Sequence, residues 1–238
     1  VPGRPQAPAH PAATVVLLRD SPNGCEVLLV RRNSNLAFHG GAWVFPGGRI
    51  DAEDYAAASD PSDVRAAACH AAVREAAEEA GVAVSASELV PFSRWITPEG
   101  LPKRFDAWFF AAQAPGADVQ VDGFEIEEHR WMLPKDALAA RHAGEIELPP
   151  PTFVTLSRFC GAGSTAEILA ELRAETVRSY VPRLHLLAGG GACSLYEGDA
   201  GYEAGSPELA GARHRLTMHE GGAWTYECSE DGLLFELH

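Results

Sequence analysis

Lysine is almost missing from this chain. Of nineteen basic residues in 238 only Lys103 and Lys135 are lysine, and thirty-three acids leave a formal net charge of −14. With no basic surplus there is little charge to release counterions from a nucleic-acid backbone, so such a polymer is excluded as a partner. Long apolar runs are also missing. None approaches the roughly 20 residues that span a bilayer, and no membrane partner is expected. The five cysteines (Cys25, Cys69, Cys160, Cys193 and Cys228) are odd in number and contain no Cys-x-x-Cys pair. That disfavours a disulfide framework or a zinc site and makes a reducing cytoplasm the expected compartment. Residues 1–12 hold four prolines and no apolar h-region, so they read as a disordered or extended leader rather than a signal peptide.

What is present is ordinary globular patterning. Aliphatic runs at 14–18 and 26–31 flank Ser21-Pro22-Asn23-Gly24, which predicts a hairpin. A short strand at 43–45 is expected to stop at Pro46-Gly47-Gly48. Asp60 as N-cap and Pro61 at the first helical position predict a helix running to Ala80 and closed by Gly81. Strands follow at 82–84, 92–96, 105–112, 118–121 and 129–133, then a helix over 134–143. Pro149-Pro150-Pro151 marks a junction. Beyond it, 152–159 and 164–178 read as helices, the second with Ser164 and Glu167 as a capping box, and 184–187, 215–219, 224–228 and 233–237 read as strands. The expected organisation is an α/β core over 13–148 and a C-terminal α+β extension over 149–238.

The chemistry concentrates in one helix. Glu75, Glu78 and Glu79 stand at i, i+3 and i+4, so three like charges share one face and repel. A solvated acidic patch is the alternative reading of the trio alone. Hard divalent cations, magnesium or manganese, would remove the repulsion. Gly47 and Gly48 let the backbone approach such a cation, with the Gly47 carbonyl as a further ligand. Arg74 points roughly 100° away around the helix and is expected to orient a loop carboxylate, Asp54 or Glu53.

Gly48, Asp54, Arg74-Glu75, Glu78-Glu79 and Gly81-Val82 together resemble the Nudix box, with two departures. Asp54 stands where that family has Glu, and nineteen residues rather than seven separate it from Arg74. Further segments are similar to the coenzyme A diphosphatase branch known from peroxisomes: Phe92 to Pro98, Arg104-Phe105-Asp106, Leu148 to Phe153 and Gly198-Asp199. A CoA-associated pattern is partly kept in Leu28, Leu29, Arg32, Gly41 and Phe45 to Gly48. Val30, Asn33 and Ala37 depart from it.

The resemblance implies an α/β/α sandwich with a mixed sheet, and attack of water on one phosphorus of a nucleoside diphosphate derivative. CoA or acyl-CoA is the expected substrate. ADP-ribose, NADH, or a non-catalytic nucleotide-sensing role are the alternatives. It implies Glu75, Glu79, Glu78 and Gly47 as metal ligands, and Glu75, Glu78, Arg74 and Asp54 as the catalytic set. Glu125, Glu127 and Glu128 are candidate general bases. Arg32, Arg94 and Arg104 are the candidates for substrate phosphates, ahead of Arg31 and Lys103. Trp43, Trp95 and Phe38 are candidates to stack an adenine, although aromatic residues in strands more often fill the core. The extension is also a candidate homodimer surface.

Overall fold

The computed structural model describes residues 7–35, 40–116, 119–121, 123–230 and 233–236. The expected hairpin forms. β1 (Ala9–Ser21) and β2 (Gly24–Arg32) pair antiparallel from Leu18↔Val27 to Ser21↔Gly24, leaving Pro22 and Asn23 as the turn. Residues 9–12, read from sequence as leader, lie in β1, with Ala9 opposite Arg104. Away from their turn the two strands splay, and a short segment wedges between them. There β3 (Trp43–Val44) pairs with β2 and β4 (Gly47–Arg49) pairs with β1. The Pro46-Gly47-Gly48 run therefore does not end strand pairing but passes it to a new neighbour. Glycine is required at 47 because a Cβ there would lie 2.5 Å from the Ala13 carbonyl oxygen.

β6 (Arg104–Gln113) runs parallel to β1, while β5 (Val90–Ile96) and β7 (Ile126–Met132) run antiparallel to β6 and β2. With β8 (Arg178–Tyr180) parallel to β5 this makes a mixed eight-stranded sheet, six strands in the order β3-β2-β1-β6-β5-β8 and two beside that path, β4 on β1 and β7 on β2. The α/β class and mixed sheet agree with the expectation.

The helical segment differs from it. α1 (Ala52–Ala57) comes first, capped by Asp51, and α2 (Val64–Ala80) is capped by Asp63 rather than Asp60. Asp63 accepts from the N–H groups of Arg65 and Ala66, whereas Asp60 folds over Ser62 in the preceding turn. The long spacer is thus taken up by the end of α1, that turn and the first ten residues of α2. Residues 82–84 form no strand: the Val82 N–H donates to Ala76 O, and Gly81, at φ +65°, closes α2 in a left-handed cap. Residues 119–121 are not a strand either, and Asp118 lies outside the described residues.

α3 (Pro134–His142), α4 (Pro150–Phe159) and α5 (Thr165–Ala174) follow, α5 ending early because the chain turns into β8. A second, antiparallel sheet holds β9 (Arg183–Leu186), β10 (Gly191–Leu195), β11 (His214–His219), β12 (Trp224–Cys228) and β13 (Leu233–Glu236).

Alternation along β1 and β2 builds two cores. Val15, Leu17, Leu28 and Val30 pack against α2, while Val16, Leu18, Val27 and Leu29 pack with Leu138, Phe153, Ile168, Tyr196, Leu216 and Tyr226. Residues of α4, α5 and the second sheet therefore pack on the sheet face opposite α2, while β8 joins the edge of the sheet itself. All five cysteines carry free thiols, and no helix among the described residues is long and apolar enough to cross a membrane.

Candidate active site

Alanine makes the site. Ala67, Ala68, Ala71, Ala72, Ala76 and Ala80 bury one face of α2 against the sheet, and such small side chains let the helix lie close to it. Glu75 and Glu79, one turn apart, are thereby carried below the surface beside β4. The Gly47 N–H donates to Glu79 Oε2 at 2.9 Å. A Cβ on Gly48 would collide with the Glu75 carboxylate; the missing side chain is the space that Glu75 fills.

Arg74 organises the acids. Its Nη2 donates to Asp54 Oδ2 at 3.0 Å and its Nε to Asp54 Oδ1 at 3.3 Å. That pair selects Asp54 over Glu53, and Asp54 is in turn held by the Asp51 N–H at 2.9 Å. The expectation that Arg74 turns away from the trio is corrected. Its long side chain curls back, and Nη1 donates to Glu75 at 2.8 Å and to exposed Glu78 at 2.9 Å. Arg32 approaches from β2, its Nη1 4.0 Å from Glu79 Oε1.

Burial pushes the Glu79 carboxyl up to about 8, assisted by the negative charges of Glu75 and Glu125 and opposed by the Gly47 N–H and Arg32. Burial also raises Glu75, against its bond from Arg74. Two buried, mutually repelling carboxyls offer hard oxygen donors, which suits a divalent cation that removes the repulsion. As the side chains stand, no three acidic, histidine or cysteine groups among the described residues are gathered tightly enough to grip an ion. Arg74 instead holds Glu75 and Glu78, and Glu79 rests on Gly47.

This gives a pH prediction with a definite sign. A carboxyl raised in the fold contributes stability below its unfolded value, near 4.3, and loses it as pH rises through about 8. Without metal the melting temperature should fall across that window, and magnesium should raise it more at pH 8 than at pH 6. Glu79→Gln should flatten the slope. A magnesium-induced shift independent of pH would contradict the assignment.

The other sequence candidates separate. Arg94 is bound in a bidentate pair with Asp106, Nε to Oδ1 at 2.6 Å, and Arg104 donates to the carbonyls of Thr97 and Ala7. Only Arg32 of the three approaches the box carboxylates. Lys103 lies over the Phe105 ring. Glu127 and Glu128 face Arg31, at 3.4 and 3.2 Å, and Glu128 also meets Arg130 at 2.9 Å. Glu125 differs, since its charge acts on both Glu75 and Glu79. Trp43 and Trp95 are core residues, 3% and 5% exposed. Ala37 and Phe38 lie outside the described residues. Asn33 was not anticipated as part of the site. Its amide reaches the Phe124 carbonyl at 2.9 Å, a partner 91 positions away that local pattern does not signal.

The NUDIX domain profile fits residues 8–150 of the chain. A Caenorhabditis elegans protein assigned the name nudix hydrolase 7 is 27% identical over 170 residues, covering 56% of this chain and 55% of its own length. The acyl-coenzyme A diphosphatase NUDT19 of Xenopus laevis is 35% identical over 77 residues, covering 30% of this chain and 20% of its own. The chain thus spans about half of the first relative and a fifth of the second. A crystal structure of a NUDIX hydrolase from Alicyclobacillus acidocaldarius superposes with a TM-score of 0.62 at 24% identity, over 71% of this chain and 99% of that one. This last likeness is one of fold.

Proposed function

This chain belongs to the NUDIX domain family, and on that premise we propose that it is a metal-dependent hydrolase of nucleoside diphosphate derivatives, with CoA or acyl-CoA as substrate. The observation that carries the reading is the buried Glu75–Glu79 pair, two carboxyls raised by burial beside the Gly47-Gly48 strand. Glu75 and Glu79, with Glu78, would hold magnesium or manganese, which when bound supplies charge neutralisation and a more acidic water.

The remaining roles belong to the chain itself. Asp54 fixes Arg74, and Arg74 sets the rotamers of Glu75 and Glu78. Arg32, beside Glu79, pairs with a phosphate oxygen of the substrate. Glu125 takes the proton of the attacking water at a carboxylate oxygen. Glu127 and Glu128 pair with Arg31, and Glu128 also with Arg130. Support for CoA comes from Leu28, Leu29, Arg32, Gly41 and Phe45 to Gly48, and from the name of the Xenopus relative.

A panel of CoA, acetyl-CoA, ADP-ribose and NADH with magnesium tests the substrate. The expected result is a kcat/KM for the CoA compounds at least roughly tenfold above the others, a difference of about 1.4 kcal/mol in the transition state. Preference for ADP-ribose or NADH would overturn the CoA assignment and keep the reaction.

A further inference from the structure

Two of the aromatic side chains singled out in the sequence for stacking a base, Trp43 and Trp95, do not serve that role; the third, Phe38, lies outside the described residues. Trp43 is buried against β2, and Trp95 is stacked on Tyr180 at 3.9 Å. A different aromatic stands at the site. Phe124 is 83% exposed, the highest value among the exposed large apolar side chains of the described residues.

An isolated apolar side chain on a surface means little by itself; the position of this one gives it meaning. It lies in the turn before β7, beside the end of β2, where Arg32 is registered with Ile126. The same Arg32 reaches to 4.0 Å from Glu79. The next residue, Glu125, acts electrostatically on both Glu75 and Glu79. Phe124 therefore stands at the rim of the carboxylate site rather than at a remote loop tip.

The turn that presents it is fixed at three points. Asn33 N–H donates to the Glu125 carbonyl at 2.7 Å, the Asn33 side-chain amide donates to the Phe124 carbonyl at 2.9 Å, and Gly123 N–H donates to the Ile126 carbonyl at 3.1 Å. Gly123 adopts φ +75°, a left-handed conformation that glycine takes without strain. A planar apolar face held out to solvent by a pinned backbone is preorganised to receive another planar face, and little conformational freedom is lost when it does.

We infer that Phe124 is the stacking surface for the heterocyclic base of the nucleotide substrate, an inference that rests on the diphosphatase reading above. With the diphosphate placed between Arg32 and the box carboxylates, the nucleoside extends toward the rim and its base lies on the Phe124 ring. The role concerns binding: Phe124 touches the base and takes no part in proton transfer.

Equilibrium binding tests this independently of turnover. Adenosine 5′-(α,β-methylene)diphosphate and the baseless methylenediphosphonate are titrated calorimetrically, with magnesium, into the wild type, Phe124→Ala and Phe124→Trp. Phe124→Ala should weaken the adenosine compound by roughly tenfold or more, the worth of one base–aromatic stack. It should leave methylenediphosphonate unchanged, and Phe124→Trp should restore the wild-type value. Melting temperatures should coincide, because the ring covers little of the core. Equal affinity of the adenosine compound for wild type and Phe124→Ala overturns the inference, as does equal weakening of both compounds or no binding to the wild type. Loss of the base-dependent term in a protein that hydrolyses nothing would keep the stacking role and reject the diphosphatase reading instead.

Discussion

Glu79→Gln is expected to lower turnover of a diphosphate substrate by at least roughly 10²-fold while the protein stays folded. The two halves of this result have separate causes. Glu79 is 4% exposed and, with its carboxyl raised to about 8, is mainly protonated at neutral pH in the metal-free fold. Glutamine has the shape of that protonated acid, and its amide oxygen can still accept the Gly47 N–H. The metal-free fold therefore loses almost nothing. A hard cation, by contrast, loses a charged ligand, and a neutral amide oxygen holds a divalent ion more weakly than a carboxylate does. Steady-state kinetics with a magnesium titration, beside a thermal melt, separates the effects. Activity within tenfold of wild type at saturating magnesium would remove Glu79 from the ligand set.

The second large effect lies far from the chemistry. Asp199→Ala is expected to destabilise the protein by about 3–5 kcal/mol, the usual cost of removing one partner from a buried ion pair. The Asp199 side chain is 0% exposed and that of Arg215 is 7%. Asp199 accepts from Arg215 Nε at 2.7 Å and Nη2 at 2.6 Å, and from the backbone N–H groups of Gly201 and His214 at 2.8 and 2.9 Å. Without the carboxylate, a guanidinium remains buried and two loop amides lose their acceptor. Arg215 lies in β11 next to Leu216, which belongs to the core shared by both sheets, so the strain reaches the main fold.

Burial alone would raise the Asp199 carboxyl, but the bonds from Arg215 and the two amides more than offset this and hold it below the usual carboxylate range. Its contribution is thus present above the ordinary value near 3.9 and fades as pH falls through the depressed one. Urea denaturation at pH 7 should show the loss as a lower midpoint with an unchanged slope. A change under about 1 kcal/mol would mean that this pair contributes little to the fold.

Sequence and structure agree wherever the information is local. Ser21 to Gly24 marks its hairpin, Gly81 closes its helix, and the spacing of Glu75, Glu78 and Glu79 shows their shared face. Errors appear where two local signals compete or where pairing is distant. Asp60 and Asp63 both carry capping chemistry, and the structure uses Asp63 because Asp60 is engaged by Ser62. Gly47-Gly48 looks like a strand breaker, yet close approach to Ala13 and Glu75 is what β4 requires of those glycines. β8 exists only through its parallel pairing with β5, which no local pattern announces.

Charge was the least legible feature of all. Arg94 and Arg104 have the same side chain as Arg32, and what separates them is a carboxylate twelve residues away and two backbone carbonyls. In the same way, the fifteen residues between Asp199 and Arg215 hid the pair they form.

If this chain splits a diphosphate by adding water at the Glu75–Glu79 site, the oxygen of that water must appear in one product. Product analysis by mass spectrometry in ¹⁸O-labelled water, with CoA and magnesium, tests it most directly. Adenosine 3′,5′-bisphosphate and phosphopantetheine are expected in equal amounts, one of the two carrying a single ¹⁸O atom, from the wild type and almost none from Glu79→Gln. Intact substrate after incubation with CoA, ADP-ribose and NADH alike, or the same products from both proteins, would contradict it.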